Sequence, residues 1–538
     1  MTGVGGLLRR IRFGHPLYGL SLDDAPTGAL SQTPSDIWPG DPDHGRAFML
    51  DSYRFFGKTL HSPTPPWNAD SVPPGWLAEL QSFAWLRDLR AVGGDSARSR
   101  ARRAIEDWLD NHPRWSEAAW EPSVLGRRVA HWLAYHDFSW SSAPDALYQR
   151  ILAALAQQGR HLAKVMPGGV YGPGALDALR GLLYAGLFLP GRATLAEQAT
   201  RLLEREIAQQ IRPDGGYICR SPRLQLRALR LLLDMRAALR QADKPVPESA
   251  DTAILRMGRA LKAMMHGDDG LAQFHDSHGA PTALARQALI QADIRGKAPV
   301  SLPESGFERQ VQGRTVIVID AGAPPPKGYD KHAHAGLLAF EMSSGRERLI
   351  VNCGAAALAG AWRNALRKTA AHSTLTIADA DSLELVTGGG LRHRPPAVQV
   401  ERQSADGASL LTLSHEGYRK RFGLIHRRRL YLGSEGRDLR GEDALSGSGS
   451  QPIALRFHLH PGVQASPVKG GQEFLLRLPS GQGWRFRSNA EALGLAIGLE
   501  SSVYFDDGQE HRKTSQIVIT GTGTAHETVI KWALQREG

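Results

Sequence analysis

The sequence has little cysteine: two thiols, Cys219 and Cys353, in 538 residues. Two thiols make no disulfide framework, so the fold rests on its core and the cysteines do not set a redox compartment. No stretch reaches the ~18 consecutive apolar residues of a membrane-spanning helix, so no transmembrane segment is expected. Near the start, Arg9, Arg10 and Arg12 interrupt the apolar run, which leaves no signal-peptide core. A cytoplasmic location is therefore expected, with a periplasmic or cell-envelope location left open. Zinc-finger spacing and aromatic RNA-binding strand signatures are absent, so nucleic acid is not an expected partner. No internal sequence repeat is visible.

The rest of the composition is that of a soluble globular protein, 42% hydrophobic and 22% charged. The length calls for two or three domains. Lys and Arg number 65 against 54 Asp and Glu, a formal net charge of +11. Such a balance favours a polyanion as partner, although arginines spread over helix surfaces produce the same sum.

Texture divides the chain into three. Residues 1–75 are rich in Pro and Gly, with Trp38-Pro39-Gly40-Asp41-Pro42 and Pro63-Thr64-Pro65-Pro66-Trp67, and read as an extended segment packed on the helical domain after it. Residues 76–300 carry apolar residues at spacings of three and four. Helices are expected at 76–86 and near 96–110, 122–138, 145–165, 174–188, 193–211, 222–241 and 249–265, which fits helix pairs stacked as an incomplete α/α toroid. Residues 301–538 read as short β-branched runs, such as Thr315–Asp320 and Gln516–Thr520. They are separated by turns such as Ala405-Asp406-Gly407, Pro479-Ser480-Gly481 and Asp506-Asp507-Gly508, the pattern of an antiparallel β-sandwich. The expected class is thus α+β multidomain. Nine of the twelve tryptophans precede residue 141. Exposed indoles stack on sugar rings, but at helical spacing they read first as core.

Four patches carry candidate chemistry. His332-Ala333-His334 opens an apolar run; as a strand it would aim both imidazoles to one face, as a base and a metal ligand or as two ligands. Asn352-Cys353-Gly354 follows a second apolar run, and His372 heads a Ser/Thr-alternating strand. Two imidazoles with Asn or Cys could bind zinc. The loop Asp214-Gly215-Gly216-Tyr217-Ile218-Cys219-Arg220-Ser221-Pro222 opens a helix. It places Tyr217 and Arg220 where helix-end potential favours an anion or a tyrosine of lowered pKa; a capped turn with a packing tyrosine is the plain alternative.

These motifs in this order, with Arg12-Phe13-Gly14-His15-Pro16-Leu17-Tyr18-Gly19-Leu20 and Phe457-His458-Leu459-His460-Pro461-Gly462-Val463, resemble the heparinase II/III family of polysaccharide lyases, in its alphaproteobacterial branch. The resemblance spans nearly the whole chain. It implies a toroid joined to a sandwich, substrate in the cleft between them, and β-elimination on an acidic, uronate-containing polysaccharide. Such chemistry needs a neutraliser for the uronate carboxylate, a base for the C5 proton and an acid for O4. By position His332 corresponds to a catalytic histidine, and His334, Asn352 and His372 fall where some members hold zinc. Asn352 stands where Asp is expected, and a neutral amide is a poor zinc ligand unless Cys353 substitutes. The Asn-His pair of many relatives is missing from Pro167-Gly168-Gly169-Val170-Tyr171-Gly172. Tyr217 is then the candidate phenol, with Arg220 or Arg223 as carboxylate neutraliser. A glycan-binding protein that keeps the fold without the chemistry is the alternative.

Overall fold

A computed structural model describes residues 11–23, 28–30, 32–170, 172–279, 282–393, 398–506, 510–524 and 527–537. Arg9, Arg10, Tyr171, Asp507 and Gly508, which figured in the sequence expectations, lie outside them. By contact the chain divides into two compact units, Met1–Gln210 with Ala228–Ile254, and Ile211–Arg227 with Leu255–Gly538. The division does not fall at residue 300: two segments of the expected helical region belong with the β-rich unit.

The first unit is the helical toroid. Its helices include Gly94–Asn111, Pro122–Ala134, Asp145–Val165, Gly174–Phe188 and Ala193–Gln210, close to the periodic runs of the sequence. Gly174–Phe188 is buried nearly all round, whereas Gly94–Asn111, Asp145–Val165 and Ala193–Gln210 each bury an apolar stripe. Eight of the nine early tryptophans are under 9% exposed, as core residues should be. Pro122–Ala134 and Gly174–Phe188 cross at glycines. A methyl group on Gly126 would lie 2.4 Å from Asp177 O, and one on Gly181 2.4 Å from the Gly126 Cα. The N-terminal segment is not wholly extended: it forms a helix, Pro42–Met49, and a hairpin of Ser52–Phe55 with Lys58–His61. Its extended part is pinned by Asp36, which accepts from Arg87 and from the Tyr135 hydroxyl (2.6 Å). The Trp38 indole N–H donates to Asp234 Oδ1 (2.5 Å), whose other oxygen holds Arg180.

The second unit contains the antiparallel sandwich. One sheet orders its strands Gln399–Ala405, Ala408–His415, Leu424–Leu432, Asp438–Gly447, Glu527–Arg536, Gly483–Ser488, Glu473–Arg477 and Gln464–Val468. The other runs Ala496–Phe505, His511–Thr522, Pro452–Leu459, Glu347–Val351, Phe340–Ser344, Thr315–Asp320, Phe307–Gln312 and Ser301–Leu302, with Leu375–Ile377 also paired to Pro452–Leu459. Strict alternation, as in Leu424–Leu432, turns one face of the strand to the core and the other to solvent. Phe340, Phe457 and Trp532 pack together inside, the Phe340 and Trp532 rings stacked at 5.6 Å.

Inside this core sits a charged cluster that reaches the candidate site. Arg428, fully buried, donates Nε–H to Asp443 Oδ1 (2.8 Å) and NH1 protons to Leu338 O (2.7 Å) and Ser373 O (2.8 Å). Asp443 also accepts from His426 and from the Trp532 indole. A buried guanidinium needs partners of this kind; the carboxylate and two carbonyls engage Nε and NH1, while NH2 has no hydrogen-bond partner among the described residues. Its two carbonyl contacts fix the loops that carry His334 and His372.

Candidate active site

His332 and His334 do not share a strand face. The strand begins only at Phe340, and residues 331–339 form turns that end in Leu338 at φ 58°. Apolar residues continue through these turns because they are buried, which made the run read as a strand. The two imidazoles therefore meet different groups: the Asp276 carboxylate for His332, and the Asp276 backbone amide and His372 for His334.

His332 pairs with Asp276. Its Nδ1–H donates to Asp276 Oδ2 (2.5 Å), and NH2 of Arg363 donates to the same oxygen (2.5 Å). The Asp276 carboxylate is 2% exposed, whereas His332 and Arg363 are 17% and 14% exposed. Arg223 contacts the same residue through its backbone, donating Nε–H to the Asp276 carbonyl oxygen (3.4 Å). Burial by itself would raise the Asp276 pKa, but the His332 hydrogen bond and the Arg363 and Arg223 charges hold it well below the usual carboxylate range. Burial and the same two arginines lower the His332 pKa against the pull of Asp276, so the imidazole is neutral at pH 7. With its proton on Nδ1, His332 keeps an unprotonated Nε2 that has no protein partner among the described residues. This is the arrangement of a base held in one tautomer by a carboxylate.

The turn that presents Asp276 is strained. His275 and Asp276 have φ of 48° and 61°, successive left-handed residues without glycine. Such conformations cost about 1–3 kcal/mol each and collect at functional sites. They are held by hydrogen bonds: Asp276 N–H donates to His334 Nε2 (2.8 Å), and His334 N–H donates to His275 Nδ1 (3.3 Å).

His334 belongs to a fixed chain of neutral imidazoles. Since Nε2 accepts from Asp276, its proton is on Nδ1, 3.2 Å from His372 Nε2; His372 in turn donates Nδ1–H to Lys368 O (2.8 Å). Burial drives the His334 pKa well down and the His372 pKa to about 4. Gly336 of the His-Ala-His-Ala-Gly run is required here, since a Cβ would meet His372 Cδ2 at 2.7 Å.

The four candidate metal ligands do not converge. Both ring nitrogens of His334 and of His372 are engaged in hydrogen bonds. Asn352 donates from N and Nδ2 to buried Glu341 (3.0 and 3.2 Å) and accepts from Ser373 N–H (3.0 Å). Cys353 lies against His458 Nδ1 (3.4 Å) and Ser502 Oγ (3.8 Å), and burial pushes its thiol up to about 12. Among the described residues no three His, Cys, Asp or Glu side chains surround a point that a metal could take. This donor set does not fit the zinc ion that the sequence suggested.

Arg220 and Tyr217 of the Asp-Gly-Gly loop also differ from expectation. Arg220, 5% exposed, donates to the carbonyls of Ser305, Gly306 and Gly322 and to Asp320 Oδ1 (2.5 Å). Asp320 also faces His275 Nε2 at 2.9 Å. Arg220 thus ties the loop to the sheet instead of meeting a ligand. Tyr217 is 2% exposed, its backbone N–H bound by Gln225 Oε1 (2.6 Å). Arg223 alone of the expected trio joins the His332 group.

Asp276 and Arg363 were not singled out for this role, yet a signal for Asp276 exists. Ile211–Tyr217 and Met265–Leu271 form the same bridged turn, closed by Arg212 N–H to Gly216 O and by His266 N–H to Gly270 O, each at 2.9 Å. In each, an Asp side chain, Asp214 or Asp268, accepts from the Gly two residues on. The pattern Asp-x-Gly thus recurs 54 residues on (268 − 214) and leads each time into residues of this region. Arg363 sits on a six-residue helix, Ala361–Leu366, with nothing in its neighbours to mark it.

A helical toroid with this sandwich is the architecture of heparinase-type lyases. A solved heparinase III superimposes with a TM-score of 0.73 over 99% of this chain and 89% of its own, at 12% identity. The heparan sulfate lyase HepC of Pedobacter heparinus gives 0.63 over 94% and 85%, at 18% identity. Residues 294–533 match the family model "Heparinase II/III-like, C-terminal". FtsZ-localized protein C of Caulobacter vibrioides (strain NA1000 / CB15N) is 33% identical, over 96% of this chain and 92% of its own. The chain belongs to the heparinase II/III-like family.

Proposed function

We propose that the protein cleaves a uronate-containing acidic polysaccharide by β-elimination, with His332 as the base. The observation that carries this is the Asp276-held imidazole with a free Nε2 beside Arg363. In the reaction His332 Nε2 takes the C5 proton, the C–H electron pair becomes the C4–C5 double bond, and the C4–O4 bond breaks. The proton on Nε2 then passes to O4 on the same face, so one imidazole serves as base and acid. Arg363 and Arg223 stand in for the missing Asn-His pair, and their charge stabilises the carboxylate as negative charge develops on it. Trp362, adjacent to Arg363 and 45% exposed, offers an aromatic face to a sugar ring. The family's fold and the chain's +11 charge support an anionic glycan.

The test is a panel of uronate polymers followed by ultraviolet absorbance of the unsaturated product. Chromophore formed by the native protein and lost in His332→Ala is the expected result. New reducing ends without chromophore would mean hydrolysis. Tight binding without either would favour the non-catalytic glycan-binding alternative.

A second reading concerns place. The relative at 33% identity over nearly the full chain is named for localisation with FtsZ, which supports an FtsZ-associated role for this protein. Co-sedimentation of the purified protein with FtsZ polymers tests it, and absence from the pellet would refute direct association.

A further inference from the structure

The outer face of the eight-stranded sheet carries a hollow of about 560 Å³, within the range of about 300–1,000 Å³ usual for ligand sites. Register explains it. One row across the sheet reads Leu410, Tyr431, Arg440, Ala533 and Arg487, and the next Thr412, Arg429, Glu442 and Lys531. Ala533 lies between two arginines whose side chains are several bonds longer, so its position is a depression with cationic walls.

Charge on the walls is of one sign but for Glu442, which lies 3.8 Å from Arg429. Arg440 is paired with Asp438 and sits 5.7 Å over the Tyr431 ring. Among the described residues Arg487 is bound to the neutral amide of Gln535 alone, and Lys531 has no carboxylate partner. Arg429, Arg440, Arg487 and Lys531 are all exposed, and Tyr431 is 36% exposed.

The strands under the hollow are interior to the sheet, paired on both sides. Their backbone N–H and C=O groups are engaged in the ladders, so no edge is offered to a peptide backbone. Recognition here is left to side-chain cations and an aromatic face. We infer that this hollow is a second binding site for an anionic polysaccharide, holding carboxylate or sulfate groups on Arg487 and Lys531 with a ring against Tyr431. The inference rests on the proposed glycan class but not on turnover. A site on a sheet face would hold a polymer while another segment of it reacts, raising the effective concentration of cleavable units.

Affinity electrophoresis in gels of heparan sulfate, alginate or polygalacturonate tests it, with dextran and polyglutamate gels as controls. The native protein should be retarded by at least one of the anionic glycans and not by dextran. The double variant Arg487→Glu/Lys531→Glu should lose at least about tenfold in affinity, as expected for two exposed charge contacts. Both side chains are exposed, so the fold should persist, checked by circular dichroism. Equal retardation of native and double variant would overturn the inference. So would retardation by polyglutamate that the variant abolishes while its glycan retardation stays. His332→Ala separates the two proposals: glycan binding kept in His332→Ala and lost in the double variant supports this site, whether or not native protein forms chromophore. Chromophore with unchanged binding in the double variant would leave the lyase reading and remove this one.

Discussion

Lowering the pH from 7 to 5 should destabilise the protein well before its carboxylates titrate. His372 and His458 are buried as neutral imidazoles, with pKa lowered by burial to about 4 and about 3 from 6.5. A depressed histidine binds its proton more tightly in the unfolded chain, so the unfolded state gains protons first. Stability is then complete above pH 6.5 and is lost as pH falls from there towards the folded value. At pH 5 each of these two groups should cost about 2 kcal/mol relative to high pH, and His334 moves the same way. Two such groups remove about 4 kcal/mol, a large share of the ~5–15 kcal/mol of a domain. The buried aspartates Asp276, Asp320 and Asp443 have lowered pKa values, so their contribution is present above pH 3.8 and lost only below it. Thermal melts from pH 8 to pH 4 read this directly. A melting temperature that is flat from pH 7 to 5 and falls only near pH 4 would refute neutral burial of these histidines. The variant His372→Gln should melt lower at pH 8 and depend less steeply on pH between 7 and 5.

Other expectations rest on single contacts. Asp276→Asn should leave His332 in the wrong tautomer and lower turnover by about 10²–10⁴-fold, measured as kcat on whichever uronate polymer proves to be cleaved. Tyr217→Phe should keep most of the turnover, since the phenol is buried; loss of activity in a folded variant would return the acid role to it. Gly126→Ala should lower the melting temperature of the helical unit, because a methyl 2.4 Å from a backbone oxygen forces the helices apart at about 1–3 kcal/mol. Asp443→Asn should cost about 3–5 kcal/mol by leaving Arg428 buried without its anion, read by denaturant unfolding.

Periodicity made most of the architecture legible. A helix that buries one face repeats every 3.6 residues and a half-buried strand every two, so Asp145–Val165, Ala193–Gln210 and much of Leu424–Leu432 appear in the residue pattern alone. The pattern failed at His332–Leu338, where apolar residues are buried in turns and hydrophobicity no longer reports a period. The site was half legible for the same reason. His332 and Arg223 could be named because motifs surround them. Arg363 could not, because a short helix carries no distinctive local pattern.

Residue types and spacing thus determined on their own that the chain is a helical toroid with a β-sandwich and that the candidate histidines His332, His334 and His372 lie in its second half. Only the tertiary structure decided what each histidine does. Proton positions depend on which donor or acceptor lies across from each ring nitrogen, and these partners come from 38 to 58 residues away in the chain. Asp276 makes His332 a candidate base, whereas burial against His372 and the Asp276 amide makes His334 a structural group. Two imidazoles two residues apart in sequence therefore differ in role because one meets a carboxylate and the other a backbone amide and a second imidazole.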